Sequence, residues 1–263
     1  MTNGSTDSRD QANARADVRA GAPDVRAGAP DVRAGAPDVR AVLADLRPQP
    51  FGDGHPGKVQ DPLVEPLWSG LRALAAVDAT GTTLADEAGE PIAGHPDVAE
   101  ALAEASGADG LIVDGFLTRL AARENRVYVG MDDLPSAGQL AARPLLGIQR
   151  SRVEERTKAR EAARAASAFG PDDIITYVAI DLLWLDGEPL LDIPLLERRR
   201  LLDSVVAESD LVRRGVFVRP PIDAWIGSWR ALGFDGLSFR AANSRYQPGT
   251  KTADWVSTSM PRR

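Results

Sequence analysis

The chain has no cysteine and only two histidines. Disulfides and thiolate metal sites are therefore excluded. His55 and His95 each lie beside a proline in polar surroundings. A histidine metal site or a Ser-His-Asp triad is not expected, and both read as solvated loop residues. Lysine is almost missing as well: of 31 Lys and Arg residues, only Lys58, Lys158 and Lys251 are lysine. No apolar run approaches the roughly 18 residues of a membrane span, and no basic head precedes an apolar leader. Neither a membrane partner nor a signal peptide is expected, and the default location is the cytoplasm. A net charge of −7 and a pI near 5.0 argue against a generally basic nucleic-acid surface, though not against a local basic groove.

What is there begins with a repeat. Ala20-Gly-Ala-Pro-Asp-Val-Arg26 recurs at Ala27 and at Ala34. The period of seven invites a coiled coil, but Gly and Pro in every unit exclude a continuous helix. One Val per unit is too little apolar surface to offset chain entropy. Residues 1–40 thus read as a disordered tail, and 41–263 as the folded part. With 43% hydrophobic residues overall, that part can bury a sizeable core.

The most informative stretch runs from Ile174 to Leu202. Ile174 to Leu185 is an apolar, β-branched-rich run that suits one buried strand. Asp186-Gly187 is a tight-turn dipeptide. Asp192 is placed to cap a helix with Pro194 in its first turn. On that helix Leu195, Leu196, Leu201 and Leu202 are expected inward, and Glu197 to Arg200 largely toward water.

Elsewhere, Ala41 to Arg47 reads as a short helical or extended lead-in. Leu71 to Val77 and Thr82 to Ala85 read as strands joined at Gly81. Pro96 to Ser106 reads as a helix and Gly110 to Leu120 as a strand with a turn at Asp114-Gly115. Glu154 to Ala168 reads as an exposed helix in a locally basic stretch, with six basic and three acidic residues from Arg150 to Arg164. Gly215 to Arg219 reads as a strand. Asp223 to Leu232 reads as a helix capped by Asp223, with Trp225, Ile226 and Trp229 on one face.

The order Asp-Leu-Leu, Asp-Gly, Leu-Leu-Glu-Arg-Arg between Asp181 and Arg199 resembles the segment called motif IIIa of ATP-dependent DNA ligases. The resemblance to their adenylation domain extends over about residues 40 to 260. Glu65-Pro-Leu-Trp-Ser-Gly-Leu-Arg72 resembles the family's Glu-Pro-Lys-Trp-Asp-Gly-x-Arg. Asp114-Gly-Phe116 resembles Asp-Gly-Glu, and Asp235-Gly-Leu-Ser-Phe-Arg240 resembles Glu-Gly-(Leu/Val)-x-x-Lys. Trp255-Val-Ser-Thr-Ser259 resembles Trp-x-Lys-x-Lys. The implied fold is α+β, a ligase/capping-enzyme-like nucleotidyltransferase domain of antiparallel sheets packed face to face and flanked by helices. With only a few residues after the last strand, the OB-fold of complete ligases is not expected.

The departures fall on the chemistry that the resemblance implies. Leu67 stands at the nucleophilic lysine and Ser69 at the neighbouring Asp. Phe116 stands at a metal-associated Glu, and Ile180 at the aromatic that stacks on adenine. Ser257 and Ser259 stand at two phosphate-contacting lysines. Arg72, Asp235 and Arg240 are the polar survivors, expected to pair among themselves. The family's first step needs a neutral lysine amine to attack the α-phosphorus of ATP, with a divalent metal offsetting phosphate charge. Leucine has no lone pair to donate. Of the three lysines, Lys58 is nearest in sequence, but each reads as a surface charge. The expectation is a degenerate ligase-like domain with no catalytic or metal residues and no cofactor. It would have a binding or structural role in DNA repair or ligation, with DNA or a repair protein as partner. The alternatives are an active ATP-dependent ligase using ATP and Mg, or a DNA-binding module.

Overall fold

The computed structural model describes residues 38–119, 169 and 173–261. The repeats upstream of Asp38, the expected helix from Glu154 to Ala168 and Lys158 lie outside the described residues. Among the described residues no helix is long and apolar enough to cross a membrane.

Chain order is α1 (Val39–Asp45), β1 (Phe51–Gly52), β2 (Pro62–Pro66), β3 (Leu71–Asp78), β4 (Gly81–Ala85), α2 (Pro96–Ala105) and β5 (Gly110–Thr118). Then come β6 (Thr176–Leu185), β7 (Glu188–Pro189), α3 (Leu195–Val205), β8 (Val212–Arg214), α4 (Asp223–Ala231), β9 (Gly236–Ala241) and β10 (Thr252–Ser259). One sheet runs β1-β10-β9-β2, and the other β4-β3-β5-β6-β7 with β8 beside β6. Pairing is antiparallel except at β1/β10 and β6/β8. The fold is α+β with no closed barrel, as the sequence led us to expect.

Register decides which residues face one another. On β3 and β5, Arg72, Leu74 and Ala76 lie opposite Phe116, Asp114 and Ile112, on one face of the larger sheet. Ala73, Ala75 and Val77 alternate to the other face, where they pack with Val98 and Leu102 of α2 and Leu202 of α3. On the smaller sheet, Arg240 lies between its partners Leu63 and Trp255, and Ser238 between Glu65 and Ser257. Leu63 and Trp255 share a core with Leu74, Ala76 and Ile112, so the two inner faces meet. The smaller sheet's outer face, with Val64, Phe239 and Val256, packs against Trp229 of α4.

The long apolar run is indeed a strand buried on both faces from Thr176 to Trp184. Asp186 and Gly187 both take positive φ, 48° and 98°, to make the two-residue turn into β7. Asp186 Oδ1 also accepts from the backbone N–H groups of Asp109 and Gly110, which pins the start of β5.

Several expectations are corrected. Asp192 is exposed and does not cap α3. The first N–H groups of α3 instead donate to the carbonyls of Ser244 and Ala242, at 3.0 and 2.9 Å, so a tertiary contact replaces the side-chain cap. Asp223 is the first residue of α4, beyond an Ile222 cap. Gly215 to Arg219 is no strand: β8 ends at Arg214, and only Val218 bridges, to Val64. Asp114-Gly115 is not a turn but the middle of β5. A Cβ at Gly115 would lie 2.6 Å from the Tyr177 ring, so glycine is there for close approach.

The lead-in segment is helical. Asp38 accepts from Arg40 N at 2.9 Å, Val39 and Leu43 are buried, and Arg40 clasps Asp78 at 2.8 and 3.2 Å. The last copy of the repeat thus contributes Asp38, Val39 and Arg40 to the folded unit.

Candidate functional site: a charge lattice between two sheets

Six of the eight residues singled out in the sequence lie on or against the facing sheet surfaces. Arg72 and Phe116 are register partners on the larger sheet. The Ile180 carbonyl accepts from Arg240 Nη2 at 3.0 Å, across to the smaller sheet. Ser257 and Ser259 pair with Ser238 and Gly236 on β10/β9. Leu67, just past the end of β2, is half-buried and donates its N–H to the Gly236 carbonyl at 2.9 Å. Asp235 is exposed immediately before β9.

The charged survivors do not pair among themselves as expected. Arg72 forms a two-pronged pair with Asp114, Nε–Oδ1 3.0 Å and Nη2–Oδ2 2.6 Å. Phe51 and Phe116 lie over its guanidinium at 5.4 Å each. The Tyr246 hydroxyl donates to Asp114 at 2.8 Å and accepts from Gln49 N at 2.8 Å. Burial alone would lower the Arg72 pKa, but the Asp114 charge and hydrogen bonds outweigh it and raise it. Burial, reinforced by Asp114, pushes the Tyr246 hydroxyl well above its usual value, so it remains a donor.

Arg240 belongs to a larger group. Its Nη2 donates to Glu65 Oε2 at 2.6 Å and its Nη1 lies 3.5 Å from Asp181 Oδ2. Glu65 Oε1 lies 3.2 Å from Arg199 Nη1. Asp181 is held by Arg198 through Nε and Nη2, both at 2.8 Å. All five side chains are at most 2% exposed. Arg240 lies 4.8 Å above the Trp255 ring and Arg199 5.3 Å above that of Phe217. The lattice ties β2 and β9 of one sheet to β6 of the other, and both to α3.

Arg198 and Arg199 were expected in water. They are in the core because Leu195, Arg198, Arg199 and Leu202 fall at i, i+3, i+4 and i+7, one face of α3, and that face packs inward. Their signal was present: a buried Asp181 on β6 needs a donor, and an inward arginine supplies it.

Other groups take no part. Lys58 is exposed, at the end of a short 3-10 turn. Lys251 lies 3.4 Å from Asp53 at the surface. His55 Nδ1 accepts from Gly57 N at 3.0 Å, and His95, just before α2 and making no side-chain cap bond, has its pKa lowered by partial burial. Among the described residues, no group of three or more His, Asp or Glu side chains is placed to hold a metal ion.

Residues 148–257 match the family described as ATP dependent DNA ligase domain. Over 192 residues the chain is 26% identical to the multifunctional non-homologous end joining DNA repair protein LigD of Mycobacterium tuberculosis, covering 73% of this chain and 21% of that protein. A DNA ligase of Pyrobaculum arsenaticum is 25% identical over 199 residues, 74% of this chain and 30% of the relative. The chain therefore spans less than a third of the length of these relatives. The crystal structure of the ligase domain of M. tuberculosis LigD superposes with a TM-score of 0.54 at 23% identity, covering 82% of this chain and 60% of that one. A mycobacterial DNA ligase D complexed with ATP and MES gives 0.54 at 22% identity, with the same coverage. In fold, and in sequence over residues 148–257, this chain is similar to the ATP-dependent DNA ligase domains.

Proposed function

We propose that this chain is a ligase-like nucleotidyltransferase domain that no longer transfers AMP and acts by binding, or as a structural partner, in DNA repair or ligation. One observation carries the reading: the two arginines at nucleotide-pocket positions, Arg72 and Arg240, are each already paired with buried carboxylates and closed to solvent. Arg72 is held by Asp114 on its edge and by two aromatic rings on its faces. Arg240 is held by Glu65 and Asp181. Neither can engage a phosphate or ribose without abandoning a buried carboxylate, which costs about 3–5 kcal/mol.

The bond-forming atom is missing as well. AMP transfer to a lysine forms a P–N bond from the amine lone pair as the bond to pyrophosphate breaks. Leu67, matched to that lysine by the resemblance, offers only hydrocarbon. The donor set does not fit ATP with its metal either, because the metal-associated carboxylate position holds Phe116 and the phosphate-contacting positions hold Ser257 and Ser259. The relatives' names associate the fold with DNA, and DNA is the partner class we favour. A salt-sensitive affinity for nicked duplex would support it, and flat titrations at low salt would remove it.

The relatives' names also favour an active ATP-dependent ligase. Incubation with ATP and Mg or Mn, followed by intact-mass spectrometry, separates the two. We expect the unmodified mass alone. An AMP increment, mapped to Lys58 or any other lysine, would overturn the reading.

A further inference from the structure

The lattice around Glu65 has an imbalance. Among the described residues, the carboxylates in direct ion-pair contact with Arg198, Arg199 and Arg240 are those of Glu65 and Asp181, so three guanidiniums meet two carboxylates in a region closed to solvent, with Asp203 acting on Arg199 from further off. Asp181 is bound two-pronged by Arg198 and is largely spent there. Glu65 is therefore the carboxylate on which the other two converge: Arg240 Nη2 donates to Oε2, and Arg199 Nη1 lies 3.2 Å from Oε1 as an ion-pair contact without a hydrogen bond. Arg199 Nε and Arg240 Nε and Nη1 have no hydrogen-bond acceptor. Aromatic faces fix both guanidinium planes, and the carbonyls of Ile180 and Gly215 hold Arg199 in place. One guanidinium donating to the carboxylate and a second fixed beside it by backbone carbonyls, with donors to spare on both, form a receptor for an oxyanion.

We propose that Arg199 and Arg240 form an oxyanion site whose resident ligand is the chain's own Glu65 carboxylate, so that an internal anion keeps external phosphates and carboxylates out of the space between the sheets. The inference rests on the reading that the domain does not transfer AMP. It adds what fills the space instead. Glu65 is reached from β2 and Arg240 from β9, neighbouring strands of one sheet, whereas Arg199 comes from α3 on the far side. The internal ligand therefore also holds the smaller sheet to α3.

Chemical rescue tests this. In the full chain, Glu65→Ala removes the internal carboxylate and leaves space beside two guanidiniums. Sodium formate is then titrated against sodium chloride at matched ionic strength, with Tm as the readout. The variant should melt below the wild type, and formate but not chloride should raise its Tm in proportion to ln(1 + [formate]/Kd), by about 3–5 °C at ten times its Kd. The wild type should show no formate-specific shift. Equal responses in variant and wild type would overturn the proposal. Should E65A fail to fold, E65A/R240M supplies the comparison: removing one orphaned guanidinium should restore soluble, cooperatively melting protein. A double variant no better than E65A sinks the idea. Calorimetry with ATP on the wild type keeps the two readings apart. Saturable binding without an AMP adduct would overturn the internal-ligand site alone, whereas an adduct would overturn the loss of transfer.

Discussion

Two ionic groups lie between the sheets, and they are built differently. Arg72 and Asp114 are a closed pair, one cation to one anion, with Tyr246 completing the carboxylate and rings covering the guanidinium. The group around Glu65 and Asp181 is open: three cations, two anions, several unmet donors and one unmet acceptor, Glu65 Oε1. The closed pair joins adjacent strands of one sheet and could be replaced by apolar residues of similar volume at little cost. The open group joins two sheets and a helix, and each anion in it serves more than one arginine. Burial also lowers the Arg199 pKa, offset in part by Glu65 and reinforced by the Arg240 charge. The same chemistry is a local filler in one place and a cross-link in the other.

The comparison can be broken most forcefully at Asp181. Asp181→Ala orphans Arg198 and leaves Arg240 with Glu65 alone. It should cost about 3–5 kcal/mol in urea unfolding, and a loss below about 1 kcal/mol would mean that the open group does not cross-link. Asp114→Leu should cost about 3 kcal/mol alone, but Arg72→Met with Asp114→Leu should return to within about 1 kcal/mol of wild type. If the double variant stays as weak as the single one, the closed pair is more than a filler. Tyr246→Phe removes one donor to Asp114 and leaves Gln49 N without an acceptor, for about 1–2 kcal/mol by thermal unfolding.

The smallest effect is at the surface, where Arg40 clasps Asp78. Hydrogen bonds from Arg40 and Thr80 lower the Asp78 pKa to about 2 from 3.8, against an opposing effect of burial. A lowered carboxylate pKa stabilises the fold above the unfolded value and is lost as pH falls toward 2. Both side chains are partly exposed, so the contribution should stay below about 1 kcal/mol. Asp78→Asn should flatten the difference in stability between pH 5 and pH 2.5, and an unchanged acid profile would assign that slope elsewhere.

The fold was legible where pattern and turn chemistry agree. The unbroken apolar run to Leu185, the Asp186-Gly187 turn and the hairpin at Gly81 all appear as read. The matched motifs also brought Leu67, Arg72, Phe116, Ile180, Arg240, Ser257 and Ser259 to the sheets' inner faces or their margin. What was not legible is partner choice. Arg72 and Arg240 were read as paired with nearby survivors, yet their carboxylates come from Asp114, 42 residues on, and from Glu65, 175 residues back. The charge of Arg198 and Arg199 points to water, but their spacing points inward. The i, i+3, i+4, i+7 positions with Leu195 and Leu202 already put them on the buried face. Asp192 missed its cap because the carbonyls that replaced it arrive from the loop after β9, which local sequence does not reveal.

The first turn of α1 has a consequence for how this gene can change. The domain recognises Asp38, Val39 and Arg40 as its anchor, and every upstream unit ends in the same Asp-Val-Arg. Slippage during replication that gains or drops whole units would leave an identical junction each time. The number of repeats can therefore change in whole units while the seam at Asp38 stays the same.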